Sequence, residues 1–463
     1  MTSWMPDPAT LTRPAYRSLA QAVVAAIEDG QLRPGDRLPT HRELAWRLGL
    51  SVQTVGRAYE ALIRADVVAG EVGRGTFVKS APAEGRTPPY QQLDSGDPTI
   101  DCSMLTPVSG PVPAEAMART LAAMSGGLPA ETLFSFRPRQ ALRRSAEAGL
   151  VWLKTCGVAT RADLFIATNG ATSAMTVALM TAAAPGDLVV TEAAGHHTLK
   201  ALTRYLGLKL SGLNCDAEGV LPDAFDAACR RGARALYLLP SGNGPLTSVM
   251  GPARRAEIVA VARQHDAAIV ENDAWGPLEP QRPAPLAMLA PERVFYFTSL
   301  TKCLLPGLRL GWLVVPEARV TAALGRHLVT NWMATGLVAE IGARWIEDGT
   351  ARRLLDWQRA QLARRNRLAA RALAGLPMRG NPHGLHVWLP LPEGWDEPGF
   401  VNSARLRGVA LAPGSAFHIG PEPPQQQGVR LCLGGPGESA LREALTVVRR
   451  LMQNLPEPDF LTI

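Results

Sequence analysis

Over residues 16–27 the apolar side chains fall at 16, 19, 20, 23, 24 and 27, the spacing of one helix face. Gly30 and the string Arg33-Pro34-Gly35-Asp36 stop that helix. Thr40, with Glu43 three residues on, has the form of a capping box and predicts a short helix over 41–48, ended by Gly49. Ser51 caps the next helix, whose apolar positions are Val55, Ala58, Tyr59, Leu62 and Ile63. Two helices joined by a short turn with a glycine form a helix-turn-helix, in which the second helix reads the major groove of double-stranded DNA. Short runs at 67–70 and 75–78, around Gly73-Arg74-Gly75, predict the two strands of a β-wing. From Ser80 to about Thr99 periodicity vanishes, and proline, glycine and polar residues dominate. Residues 81–100 therefore read as a tether between a domain over 1–80 and a body over 101–463.

In the body, short apolar runs alternate with helical periods. Strands are predicted at 164–168, 188–191, 235–239, 267–270 and 294–297, with a further apolar run at 310–315. Helices are predicted at 174–184 and 254–265, and Asn169 to Ser173 reads as a turn entering the first of them. The alternation argues for an α/β fold, a sheet layered by helices.

Composition narrows this only a little. With 463 residues, 46% hydrophobic and 19% charged, the chain is globular and long enough for two or three cores. A net charge of +7 is compatible with a polyanionic partner without requiring one. The first eighty residues hold ten basic and eight acidic side chains, so charge alone does not select DNA. Six scattered cysteines without a C-x-x-C pair argue against a disulfide framework and a zinc site, and suit a reducing cytoplasm. No secretory signal, membrane span or internal repeat is evident.

The candidate chemistry centres on residues 296–316. Only five lysines occur among 48 basic residues, and Lys302 stands between two apolar runs. Lysine, unlike arginine, loses its proton when desolvated and then attacks a carbonyl. Ser299 and Thr301 precede it closely, and Arg309 follows seven residues later. A helix start at Gly170-Ala171-Thr172 is a natural anion site, because free N–H groups and the helix dipole both favour phosphate.

These strings resemble known families. L-P-T-H-R-E-L-A-W-R-L-G-L-S-V-Q-T-V-G-R-A-Y-E-A-L with V-G-R-G-T-F-V resembles the GntR winged helix. The resemblance implies that Arg42, Ser51, Gln53, Thr54 and Arg57 approach DNA, with Arg74 at the wing tip. The segment around Lys302 resembles the pyridoxal-phosphate lysine segment of fold-type I aminotransferases. The order of the pieces resembles the MocR subfamily, in which the two are fused. That implies a winged helix-turn-helix plus an aminotransferase-like domain with a mixed, mostly parallel sheet and a smaller C-terminal α+β subdomain from about 346 to 463. It implies pyridoxal 5'-phosphate attached to Lys302, phosphate contacts from Gly170, Ala171, Thr172, Ser299 and Arg309, and a ligand carboxylate on Arg430. It also implies a homodimer.

The chain departs from the pattern selectively. Asn272 stands where an aspartate pairs with the pyridine nitrogen, unless a one-residue shift brings Asp273 there. Trp275 replaces a tyrosine and Gly244 an asparagine that meet the ring hydroxyl, with Asn243 as a substitute for the latter. His196 replaces a stacking tyrosine and brings a group that titrates near neutral pH. The His196-His197 pair has no third ligand nearby, so no metal is expected. In the winged helix Val52 takes the place of a common arginine, and His41 that of a glutamate. Groups that hold phosphate remain, and groups that tune the ring have changed. The expectation is a transcriptional regulator that senses pyridoxal phosphate or an amino compound, with impaired transaminase chemistry. An active aminotransferase carrying a DNA-binding domain and a cofactor-free small-molecule sensor are the alternatives.

Overall fold

A computed structural model describes residues 4–8, 11, 15–28, 31–33, 35–64, 67–71, 75–79, 99–128, 130–136, 139–242, 244–420 and 427–454. The chain divides into two units, Met1–Gln92 and Leu93–Ile463. The expected tether lies outside the described residues up to position 98.

In the first unit the helices are α1 (Ala15–Glu28), α2 (His41–Leu48) and α3 (Val52–Arg64). Local chemistry sets their ends. Thr40 Oγ1 accepts the Glu43 N–H, and Gly49 closes α2 in the left-handed conformation at φ 63°. Ser51 Oγ accepts the Thr54 N–H at 3.0 Å, capping α3. Leu19, Val23, Leu44, Val55, Tyr59 and Leu62 share one core. The wing pairs β1 (Val68–Glu71) antiparallel with β2 (Gly75–Val78). It also has a feature the sequence reading passed over as a turn. Residues 35–38 run along β2, with the Leu38 N–H bonded to Thr76 O and the Val78 N–H to Asp36 O.

The second unit holds two larger sheets besides a small antiparallel pairing of Cys215–Asp216 with Gly219–Val220. In chain order their strands are β3 (Ile100–Cys102), β4 (Phe165–Thr168), β5 (Leu188–Glu192), β6 (Lys209–Leu213), β7 (Ala233–Leu238), β8 (Ala268–Asp273), β9 (Val294–Ser299), β10 (Gly311–Val314), β11 (Arg379–Gly380), β12 (His386–Pro390), β13 (Val409–Pro413) and β14 (Gly428–Cys432). The larger sheet has seven strands in the order β4-β10-β9-β8-β7-β5-β6. Only β10 runs against its neighbours β9 and β4, so six strands share a direction. Every residue of β9 and β10 is buried, so both faces of the sheet are covered.

The helix α4 (Gly170–Ala182) begins four residues earlier than the sequence pattern suggests, because Gly170, at φ 78°, makes the sharp exit from β4. Of the five residues read as a turn, Asn169 is the N-cap and the other four supply the first helical turn, whose N–H groups lack intrahelical partners. Gly311 is paired with both Ser299 and Thr168. A Cβ there would stand 2.7 Å from Thr298 O and 3.2 Å from Gly170 C, so the lysine strand and the start of α4 approach this closely only over a glycine.

The smaller sheet has the order β11-β12-β14-β13-β3. Its core draws on Ala369, Val387, Phe400, Leu411, Leu431, Leu445 and Val448. Its last member, β3, comes from the opposite end of the body and runs parallel to β13, with Cys102 beside Leu411. That pairing was not foreseen. The helix α5 (Thr350–Ala372) gives Leu354, Leu355 and Leu362 to the larger core and Ala369 to the smaller one.

Candidate functional site

The carboxyl ends of β4, β5, β7, β8 and β9 surround an open cavity of about 180 Å³. This is where an open α/β sheet places its ligands. Among the predicted residues, Ala171, Thr172, His196, Asn272, Trp275, Ser299, Lys302, Arg309 and Arg430 line it. Gly170 lies directly behind, since a Cβ on it would be 3.5 Å from Arg309 Cζ. Asn243 and Arg74 lie outside the described residues.

One end of the cavity is built for an anion. The first turn of α4 presents unpaired N–H groups, and the Arg309 guanidinium stands beside Gly170. Ser299 Oγ donates to Ala274 O at 3.2 Å, which ties the strand of the lysine to the strand of Asn272.

Lys302 occupies the middle. Its Nζ donates to Leu105 O, and burial, then the nearby Arg430, lowers its pKa to about 8. At the far end Arg430 is 5% exposed. Its Nη2 donates to Ser103 O at 2.9 Å, its guanidinium lies 4.5 Å from the Phe417 ring, and its Nε has no hydrogen-bond partner. No carboxylate lines the cavity, and none of Lys302, Arg309 and Arg430 forms an ion pair among the described residues.

Strand alternation settles the question of register on β8. Glu271 turns away from the cavity to Arg255 at 3.2 Å and to the N–H groups of Leu286 and Ala287. Asp273 turns away too, pairing with Arg282 and accepting the Tyr296 hydroxyl, each at 2.5 Å. Asn272, between them, faces the cavity. The alternative placement of Asp273 is thereby excluded.

The orientation of the Asn272 amide follows from its neighbours. The Ala274 N–H donates to Oδ1 at 3.0 Å, so Nδ2 faces Tyr237 and donates to its hydroxyl at 2.6 Å. Tyr237 passes its own proton toward Met175 Sδ at 3.3 Å. The second N–H of Nδ2 and the second lone pair of Oδ1 remain for a ligand, and neither carries a charge. The sequence reading missed Tyr237, which lies on a different strand and carries no motif.

Trp275 is 3% exposed, and its indole N–H has no partner. His196 stacks on His197 with ring centres 4.5 Å apart, and its Nδ1 is bonded to the Thr198 hydroxyl at 2.9 Å. The expectation that His196 titrates near neutral pH is corrected. Burial, then the neighbouring His197, holds it well below its ordinary value, so the ring is neutral. Among the described residues no group of three His, Cys, Asp or Glu side chains is placed to hold a metal, and no helix is long and apolar enough to cross a membrane.

In the first unit, Val52, Gln53, Arg57 and Glu60 are exposed on one face of α3, and Arg42 is exposed on α2. The Arg57 guanidinium lies 4.3 Å over the Tyr16 ring, a cation–π contact. The Ser51 and Thr54 hydroxyls bond each other at 2.8 Å at the start of α3.

Comparison with known proteins gives two family matches. Residues 15–78 match the gntR family of bacterial regulatory proteins, and residues 144–448 match the aminotransferase class I and II family. The HTH-type transcriptional regulator YdeF of Bacillus subtilis is 28% identical, over 98% of this chain and 97% of its own length. The vitamin B6 salvage pathway transcriptional repressor PtsJ of Salmonella typhimurium is 28% identical over 81% and 84%. The probable rhizopine catabolism regulatory protein MocR of Rhizobium meliloti is 25% identical over 94% and 93%. Among solved structures, an archaeal alanine:glyoxylate aminotransferase superposes with a TM-score of 0.71 at 20% identity, covering 77% of this chain and 91% of its own. At that identity the likeness concerns the fold.

Proposed function

The chain belongs to the aminotransferase class I and II family and carries a gntR-type helix-turn-helix in front of it, consistent with the MocR subfamily, and from this we propose that it is a DNA-binding regulator whose larger unit senses pyridoxal 5'-phosphate, alone or with an amino compound. One observation carries the reading. A single cavity gathers a helix N-terminus, a lysine of lowered basicity and two arginines, while no carboxylate among the described residues lines it. Such a site favours a ligand with an anion at each end and a carbonyl between them.

Pyridoxal phosphate fits the residues present. Gly170, Ala171, Thr172, Ser299 and Arg309 would hold its phosphate, Lys302 its aldehyde end, and the unpartnered Trp275 N–H would supply a donor to an oxygen on the ring. When bound, the cofactor supplies an electron sink for bonds at an amino acid's α-carbon. This chain gives that sink little support. An aspartate would hold a proton on the ring nitrogen, but the Asn272 amide carries no charge to hold one. Arg430 orients a carboxylate, neutral His196 forms part of the wall, and impaired transaminase turnover follows.

The regulator is proposed to act as a homodimer. Phe134, Phe136 and Val329 are 84%, 82% and 87% exposed, and Trp332 packs edge-on against Phe136 at 6.2 Å. Exposed apolar side chains of this kind suit contact with a second copy of the chain.

A spectral titration tests the ligand. Pyridoxal phosphate should produce a visible absorption band that is lost in Lys302→Ala. A wild-type protein without that band sinks the cofactor reading. Gel-shift with the protein's own upstream DNA tests regulation, and sustained exchange of amino groups between an amino acid and a keto acid would overturn impaired turnover.

A further inference from the structure

Residues 103–105 are not read as part of any site by sequence, yet they touch both reactive cations of the cavity. Ser103 O accepts from Arg430 Nη2 at 2.9 Å and from Cys432 Sγ at 3.4 Å. Leu105 O accepts from Lys302 Nζ, and the Leu105 side chain lines the cavity. Two main-chain carbonyls of one short segment thus take the positions that a ligand's oxygens would use.

The segment is shaped for this by Asp101. Its Oδ1 accepts the Ser103 N–H at 2.8 Å, the Ser103 hydroxyl at 2.6 Å and the Met104 N–H at 3.3 Å. Both flanks are fixed. Upstream, Ile100–Cys102 is a strand of the smaller sheet. Downstream, Gln358 clamps Val108 through its N–H at 2.9 Å and its C=O at 2.8 Å, and also holds Leu304 O beside the lysine turn. Between the flanks the middle is held by Asp101, by burial of the Leu105 side chain and by the contacts to Arg430, Lys302 and Cys432, while Met104 is exposed.

We propose that residues 103–105 form a main-chain strap, positioned by Asp101, that occupies Lys302 and Arg430 in the ligand-free protein and is displaced when a ligand takes those two groups. The exchange is favourable because an ionised carboxylate is a stronger acceptor for a guanidinium than a neutral carbonyl. The proposal rests on the reading of the cavity as a ligand site.

Hydrogen exchange of the peptide 99–108 in the full-length protein tests it. Lys302→Ala, without any ligand, should speed exchange there by about tenfold, the change that loss of one such hydrogen bond produces. Unchanged exchange in that variant overturns the strap whether or not the cofactor binds. In the wild type, pyridoxal phosphate should produce both the absorption band and faster exchange, while inorganic phosphate alone should leave the peptide protected. A band without faster exchange overturns the strap. Faster exchange in Lys302→Ala with no band in the wild type supports the strap and sinks the cofactor reading instead. Asp101→Ala should speed attachment of pyridoxal phosphate at Lys302, and Asp101→Asn, which keeps the acceptor oxygen, should restore the wild-type rate. Equal rates in all three proteins would overturn the role given to Asp101.

Discussion

Lys302 shows how a residue's surroundings set its chemistry. Burial and the Arg430 charge bring its pKa to about 8, where a free lysine side chain titrates near 10.4. Only the neutral amine attacks a carbonyl. Attachment of pyridoxal phosphate should therefore quicken as pH rises and level off above about 8. Arg430→Gln removes a like charge, so the inflection should move to higher pH in stopped-flow absorbance. An unmoved inflection would mean that burial alone sets the lysine. Asn272 carries the opposite lesson. Its place in the motif was legible, because strand alternation puts every second residue of Ala268–Asp273 on one face. Its hydrogen bonding was not, because Tyr237 lies 35 residues away on a neighbouring strand. In Asn272→Asp a buried carboxyl would sit directly against the neutral Tyr237 hydroxyl and Ala274 N–H, and burial, opposed by the cations elsewhere in the cavity, would raise its folded pKa above the unfolded value. The variant should match the wild type at pH below about 4 and lose on the order of 1–3 kcal/mol as pH rises from about 4 to about 6. Urea denaturation of the cofactor-free protein at several pH values would show this. With cofactor bound, the same carboxylate should increase exchange of amino groups, and no increase would place the block elsewhere.

At the scale of elements, the helix-turn-helix was the most legible part because its signals are local. Thr40, Gly49 and Ser51 act within three or four residues of where they stand. The strand Ile100–Cys102 was illegible for the converse reason. It has three residues, follows a polar tether, and pairs with Val409 to Leu411 at the far end of the chain. The strap has the same character, since Leu105 and Lys302 are 197 positions apart. Within α3, Gly56 has no packing reason to be glycine, because a Cβ on it would meet nothing within 4 Å. A mid-helix glycine costs about 1 kcal/mol relative to alanine. Gly56 shares a face with Val52 and Gln53, the face offered to DNA. Gly56→Ala should therefore stabilise α3 by roughly 0.5–1 kcal/mol, measured as slower amide exchange over 52–64, and weaken binding to the operator. Slower exchange with unchanged DNA affinity would show that the helix backbone does not need the close approach a glycine allows.

For the whole molecule, regulation requires that ligand and DNA each distinguish the same two states, since a ligand that binds both equally shifts nothing. A dimer strengthens DNA binding because the second winged helix binds from an effectively raised concentration, an advantage of about 10²–10⁴ when both half-sites are reached together. In the proposed homodimer that advantage would depend on the exposed apolar side chains of the larger unit. Phe136 and Val329 contribute little to its own core, being 82% and 87% exposed. Charge at those positions should spare the fold and oppose association. The double variant Phe136→Glu, Val329→Glu should sediment as a monomer and bind a two-site operator about 10²-fold or more weakly, with single-site binding little changed. Its spectral response to pyridoxal phosphate separates two arrangements. A preserved band in the monomer means one chain suffices for the ligand. A band lost together with the dimer means the partner chain completes the cavity, so the surface that pairs the wings also gates the sensor.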